Sequence, residues 1–178
     1  MSRRSIEHGP GVLAPDDPVQ ADVRGRDAFE HAGYTITPAA KFSVQARILG
    51  TERYRVGRAA DLSPVDFALG WGRMSDSAVI EQLSISQSNR FYWYRWSDEP
   101  PIPSEEIVSH SANMHLIPAT PAVASRLLDA RVGQRVKLDG LLVRVTARDG
   151  WHWNSSMTRD DSGDGACELV WVESVSLN

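Results

Sequence analysis

The chain's 178 residues fit one domain, because a single core usually grows to about 100 to 200 residues before it splits. With 42% hydrophobic and 24% charged residues it can bury enough apolar surface to offset its ordering entropy, and its single cysteine, Cys167, excludes an intramolecular disulfide. A net charge of −4 gives no general attraction to a phosphate backbone, which disfavours nucleic acid as a partner.

Residues 1–35 carry Gly9, Pro10, Gly11, Pro15, Asp16, Asp17 and Pro18 and read as an extended N-terminal arm with one apolar pair, Val12 and Leu13, to pin it. Residues 36–178 read as a single globular α+β domain. Phe42, Val44, Ala46 and Ile48 alternate with polar neighbours, the period of a half-buried strand, and Gly50 is expected to end it. Ser63-Pro64-Val65-Asp66 has the form of a helix start and predicts a short helix through Leu69. Ser75-Asp76 caps a second short helix carrying Val79, Ile80 and Leu83.

Arg90–Trp96 is so rich in aromatic residues that a central strand is expected there, with both faces at least partly covered. Thr120-Pro121 begins a helix with Val123, Leu127 and Leu128 at helical spacing. Val136 and Leu138 alternate, then Leu141, Val143 and Val145, with Gly140 between the two runs. A glycine there suggests a bend that curls the sheet. Glu168–Leu177 reads as a last strand. The expected architecture is a small curved antiparallel sheet or partly open barrel, oligonucleotide-binding-like in kind, with two or three short helices.

Chemistry-bearing residues concentrate in four places. The loop from Trp151 to Glu168 holds Trp153, Ser155, Ser156, Arg159, Asp160, Asp161 and Cys167, all donors, acceptors, nucleophiles or stacking groups. Asp160, Ser162 and Asp164 before Gly165 resemble the start of a calcium loop, but the acid required at position twelve is replaced by Trp171, so calcium is discounted. His110 and His115, with Asn113 between them, are five apart and poorly placed to share a metal; one is expected to be structural and the other an acid or base, with His115 the better candidate. Trp71 and Arg73 in a glycine-flanked turn could line a pocket for an anionic or flat ligand. The remaining tryptophans read as core rather than as a stacking platform.

Five stretches carry a resemblance: Gly11–Gln20, Leu62–Gly72, Ile85-Ser-Gln87, His110–Ala119 and Ser155–Val172. Through them the chain resembles a family of uncharacterised proteobacterial envelope proteins, over about Gly9 to the end. The resemblance implies an envelope location, and members usually carry one N-terminal hydrophobic helix just before the Pro10–Pro15 stretch. Here Met1–His8 stands in that place, without the apolar run of a signal peptide or a spanning helix, so the literal reading is cytoplasmic.

Two functions are expected. The first is a non-catalytic binding or assembly module of the cell envelope, taking a protein partner or small ligand through Trp71, Arg73, Asn113, Trp153, Ser155 and Ser156. The alternative is a small hydrolase- or lyase-type enzyme with His115 as acid or base, Arg159 stabilising an anion, and Asp161 or Cys167 assisting. Neither needs a cofactor or metal, although His110, His115 and Glu168 are the donors a metal would use. A membrane is expected to matter only through an anchor, and a homo-oligomer is compatible with either function.

Overall fold

The computed structural model describes residues 3–161 and 165–178. In chain order these form β1 (Val19–Ala21), β2 (Phe29–His31), β3 (Tyr34–Arg53), α1 (Arg58–Leu62), β4 (Val65–Gly70), α2 (Ser77–Ile80), β5 (Ser84–Ser88), β6 (Phe91–Arg95), α3 (Ser104–Ser109), β7 (Ser111–Pro118), α4 (Pro121–Asp129), β8 (Arg135–Thr146), β9 (His152–Asn154) and β10 (Glu168–Leu177). The result is the expected α+β protein built on a large curved, mainly antiparallel sheet.

The sheet follows the order β1-β3-β4-β7-β10-β8-β9, and β3 also pairs with β8. Hydrogen bonds therefore close a ring through β3, β4, β7, β10 and β8. Along the chain the ring strands run first, second, third, fifth, fourth and back to the first, with the β7–β10 closure parallel and α4 between the third and fourth. This is a five-stranded connectivity of the oligonucleotide-binding-like kind. Gly140 sits inside β8 because a side chain there would collide with the Trp171 carbonyl, 1.8 Å from where its Cβ would lie, and the β10 register shifts directly opposite, between Val172 and Ser174. The bend expected from Gly140 is thus a close approach of two backbones.

Alternation sorts the side chains. Phe42, Val44, Ile48, Phe67, Leu69, Met114, Leu116, Leu138 and Val170 point into the ring and form the main core, where α4 adds Val123 and Leu127. Thr120 caps α4 by accepting a hydrogen bond from the Val123 amide. The outer face carries two further apolar clusters, one around Leu169, Trp171 and Val143, the other beneath α2, α3 and the β5–β6 hairpin.

Several expectations are corrected. Ser63–Leu69 is not a helix: α1 ends at Leu62, and Val65–Gly70 is strand β4, buried along its whole length. Its backbone pairs with β3 on one side and β7 on the other, so a local helix signal loses to two ladders that would otherwise be left open. The aromatic run is not central to the sheet. β6 pairs only with β5 in a separate hairpin; Tyr92 and Tyr94 pack downward while Trp93 is 54% exposed. Gly50 does not end the first long strand, since β3 continues to Arg53 through a register shift between Ile48 and Gly50. A side chain at Gly50 would meet the Gln87 amide 2.5 Å away.

The arm is held by backbone contacts more than by Val12. Ile6 N donates to Val132 O, the Leu13 and Ala14 amides donate to Ser75 Oγ, and Gly72 N donates to Ala14 O. Gly133 takes a positive φ of 92°, and a Cβ on it would lie 1.8 Å from Ile6 O. Glycine is what lets the arm lie down there.

Candidate functional site

Alternation on β4 and β7 places Asp66, Asn113 and His115 together on the outer face of the ring, since Asp66 pairs with His115 and Ala68 with Asn113. The β5–β6 hairpin covers them. Its two-residue turn, Asn89-Arg90, has both φ values positive (51° and 69°), the backbone form that lets a right-twisted hairpin close. An arginine in that conformation is unusual, and its contacts account for it. Arg90 Nη1 donates to Asp66 Oδ1 at 2.6 Å, Nη2 donates to the Ser63 carbonyl at 2.8 Å, and the guanidinium lies 3.8 Å from the centre of the Tyr54 ring.

The second Asp66 oxygen accepts from His115 Nδ1 at 2.9 Å and from Asn113 Nδ2 at 3.0 Å. Asn113 also donates to Arg90 O and accepts from Gln87 Nε2 at 2.8 Å. Asp66 is completely buried, His115 nearly so, and the Trp153 ring covers the imidazole at 4.9 Å between centroids. Every charge in this cluster has a partner, so the network is self-sufficient.

Beside it, at the start of β7 and β10, lies a cavity of about 110 Å³. One wall is apolar and aromatic, from Phe91, Tyr92, Tyr94 and Val108; the other is polar, from Asn113, Arg159, Asp161, Cys167 and Glu168. Glu168 pairs in register with Met114 and shares a face with Val170 and Val172, so its carboxyl sits at the rim of the ring interior. It is fully buried. Arg159 reaches it from the loop, with Nε 3.0 Å from Oε1 and the guanidinium over Phe42. The pair is close, yet poorly aligned: among the described residues, Arg159 Nε and Nη2 and both Glu168 oxygens are buried without an aligned hydrogen bond. Burial pushes the Glu168 carboxyl up to about 8, against the pull of the Arg159 guanidinium.

The predicted site residues separate into four groups. Arg159, Asp161, Cys167 and Asn113 meet at the cavity. His115 lies apart from Arg159, held by Asp66 beneath Trp153; the Asn113 amide links the two environments. His115 therefore takes the buried, hydrogen-bonded role, while His110 is partly exposed and rests against Ser109 and the Glu106 carbonyl. Cys167 is raised to about 12 by burial, then by the charges of Glu168 and Asp66, which keeps it a thiol.

Ser155 and Ser156 fasten the loop. Ser155 Oγ accepts from Leu169 N at 3.0 Å, and Ser156 Oγ donates to Asp161 at 2.7 Å. Trp71 is core and Arg73 pairs with Glu106, both away from the cavity. Ser162 and Asp164 of the calcium-like pattern lie outside the described residues. Among the described residues, no three His, Cys, Asp or Glu side chains group as a metal site.

In the sequence Arg90 and the aromatic run stand out only as a strand, and Glu168 as the end of the polar loop, the start of the last strand and a metal donor. One signal was present: Ser88-Asn-Arg-Phe91 stands between two β-forming runs at the spacing of a two-residue hairpin turn, with an arginine where glycine is usual. Compared with protein families, with curated proteins and with solved structures, the chain matches none of them.

Proposed function

We propose that this protein is a non-catalytic binding module whose cavity at the start of β7 and β10 holds a small polar ligand group able both to donate and to accept hydrogen bonds. One observation carries the proposal. Four polar atoms of Arg159 and Glu168 are buried at the cavity wall without aligned partners among the described residues. Each such atom costs about 1–3 kcal/mol while unsatisfied, and a ligand group seated between them would remove that cost. The volume approaches the roughly 150 Å³ that accepts an aromatic ring, and the wall of Phe91, Tyr92 and Tyr94 suits a flat or apolar body behind the polar head.

Recognition fits this surroundings better than hydrolysis or lyase chemistry. A nucleophile needs a base within hydrogen-bond reach, but the Cys167 thiol stays protonated and its polar contacts, the Arg90 carbonyl at 3.8 Å and the Asn113 amide, are not bases. His115, whose Nδ1 is held by Asp66, does not line the cavity where Cys167 sits. The envelope setting implied by the resemblance is part of the same proposal.

The test is a titration of the folded protein with acetate, acetamide, methylammonium and guanidinium, read by amide chemical shifts. At least one probe should move Asn113, Cys167 and Glu168 saturably, and Arg159→Met should abolish the response with the fold intact. An identical response in that variant would reject the pocket. Turnover of an ester or amide that disappears in His115→Ala would return the enzyme reading.

A further inference from the structure

Arginines gather on one end of this acidic molecule. Arg3, Arg4, Arg126 and Arg131 line one concavity, and Arg3, Arg131, Arg53 and Arg55 line the next, so the two form one continuous face. Among the described residues Asp129 is the only acid lining either, and Arg3 occupies it at 2.8 Å. Arg53 is also committed, to the Leu128 carbonyl at the end of α4. Among the described residues, Arg4, Arg55, Arg126 and Arg131 have no side-chain hydrogen bond or ion pair. Their charges exceed what neutralising the C-terminal end of a nine-residue helix requires.

The face is specified by the fold. The arm reaches it because Ile6 N bonds Val132 O, His8 Nε2 contacts Gly133 O at 2.7 Å, and Gly133 leaves room for the Ile6 backbone. Exposed apolar residues adjoin the cations: Val132, which lines the second concavity beside Arg131, is 37% exposed, and Val56, the sequence neighbour of Arg55, is 92% exposed. Among the described residues no aromatic side chain lines either concavity, so nucleic-acid bases would find nothing to stack on.

From this combination of spread, uncommitted guanidinium groups, open shape and flanking valines, we propose that the face docks on an anionic phospholipid surface. Arginines would take the lipid phosphates while Val56 and Val132 enter the headgroup layer. Each cation near such a surface typically adds about 1 kcal/mol, or roughly five-fold, and short-range salt screening weakens the effect.

The experiment is co-sedimentation of the full chain with vesicles of phosphatidylcholine alone or with about one third phosphatidylglycerol. Binding to the anionic vesicles should exceed binding to the neutral ones by at least about ten-fold and fall with added salt. The Arg4→Glu/Arg55→Glu/Arg126→Glu variant changes only exposed side chains and, with an unchanged circular dichroism spectrum, should lose about 100-fold or more. Arg→Lys at the same positions should retain most of the binding. Equal binding to neutral vesicles, an unaffected Glu variant, or tighter binding to an oligonucleotide at matched salt would overturn the proposal. So would saturable binding of inorganic tripolyphosphate that does not compete with vesicles, since the arginines would then serve a discrete anion site.

Discussion

Two buried polar groups lie side by side in this protein and differ in one respect. Around Asp66, the carboxylate oxygens meet Arg90, Asn113 and His115, and the amide of Asn113 is itself satisfied by Gln87. Around Glu168, an arginine stands 3.0 Å away, but the donors and acceptors miss one another and face a cavity. A complete network holds structure; an incomplete one beside open space is where a ligand can add contacts. That contrast, rather than the identity of the residues, is what directs attention to Glu168 and Arg159 and away from His115.

The largest effect should come from breaking the complete network. Asp66→Ala would leave the partly buried Arg90 without its carboxylate and the buried His115 and Asn113 without their acceptor, and a loss of about 3 kcal/mol is expected by urea denaturation. A loss below about 1 kcal/mol would mean the hairpin does not depend on Asp66. Next comes pH. In the folded chain Glu168 holds its proton up to about 8, against an ordinary value of 4.5. Between those values the folded state binds more protons than the unfolded one, so stability should fall as pH rises through that window. The slope is at most about 1.4 kcal/mol per pH unit. Glu168→Gln should flatten it, and an unchanged slope would place the proton elsewhere.

Replacing the incomplete pair as a unit should cost nothing. Arg159→Met with Glu168→Leu is expected to be neutral or stabilising by about 1–3 kcal/mol, because the desolvation penalty of the buried guanidinium and carboxyl disappears with them. Marked destabilisation would show that the pair is as structural as Asp66. The smallest effect serves as a control remote from both regions: Thr120→Ala removes the cap of α4 and should cost about 1 kcal/mol in thermal or urea denaturation.

Much of the fold was legible in short-range pattern. The alternation at Phe42–Ile48, the Thr120-Pro121 cap, the Asp76 cap and the glycine at position 140 each place their elements correctly, because these signals act within a few residues. The Ser63–Leu69 segment misled for the same reason. Its local chemistry favours a helix, but the two strands that claim its backbone come from distant stretches of sequence. The aromatic run misled in another way: its composition announces a strand without saying which partner it pairs with.

At the candidate site, chain order alone puts Arg159, Asp161 and Cys167 in one polar loop and sets His115 and Asn113 two apart, on one face of any strand. Tertiary structure alone decided that Asp66, from a segment that reads as helix, would take His115, that Arg90 would arrive from a hairpin turn, and that Glu168 would be buried beside a cavity. The physical reason is that hydrogen-bond completeness and desolvation depend on which distant strands become neighbours. Local sequence pattern carries only a residue's own propensity and its near periodicity.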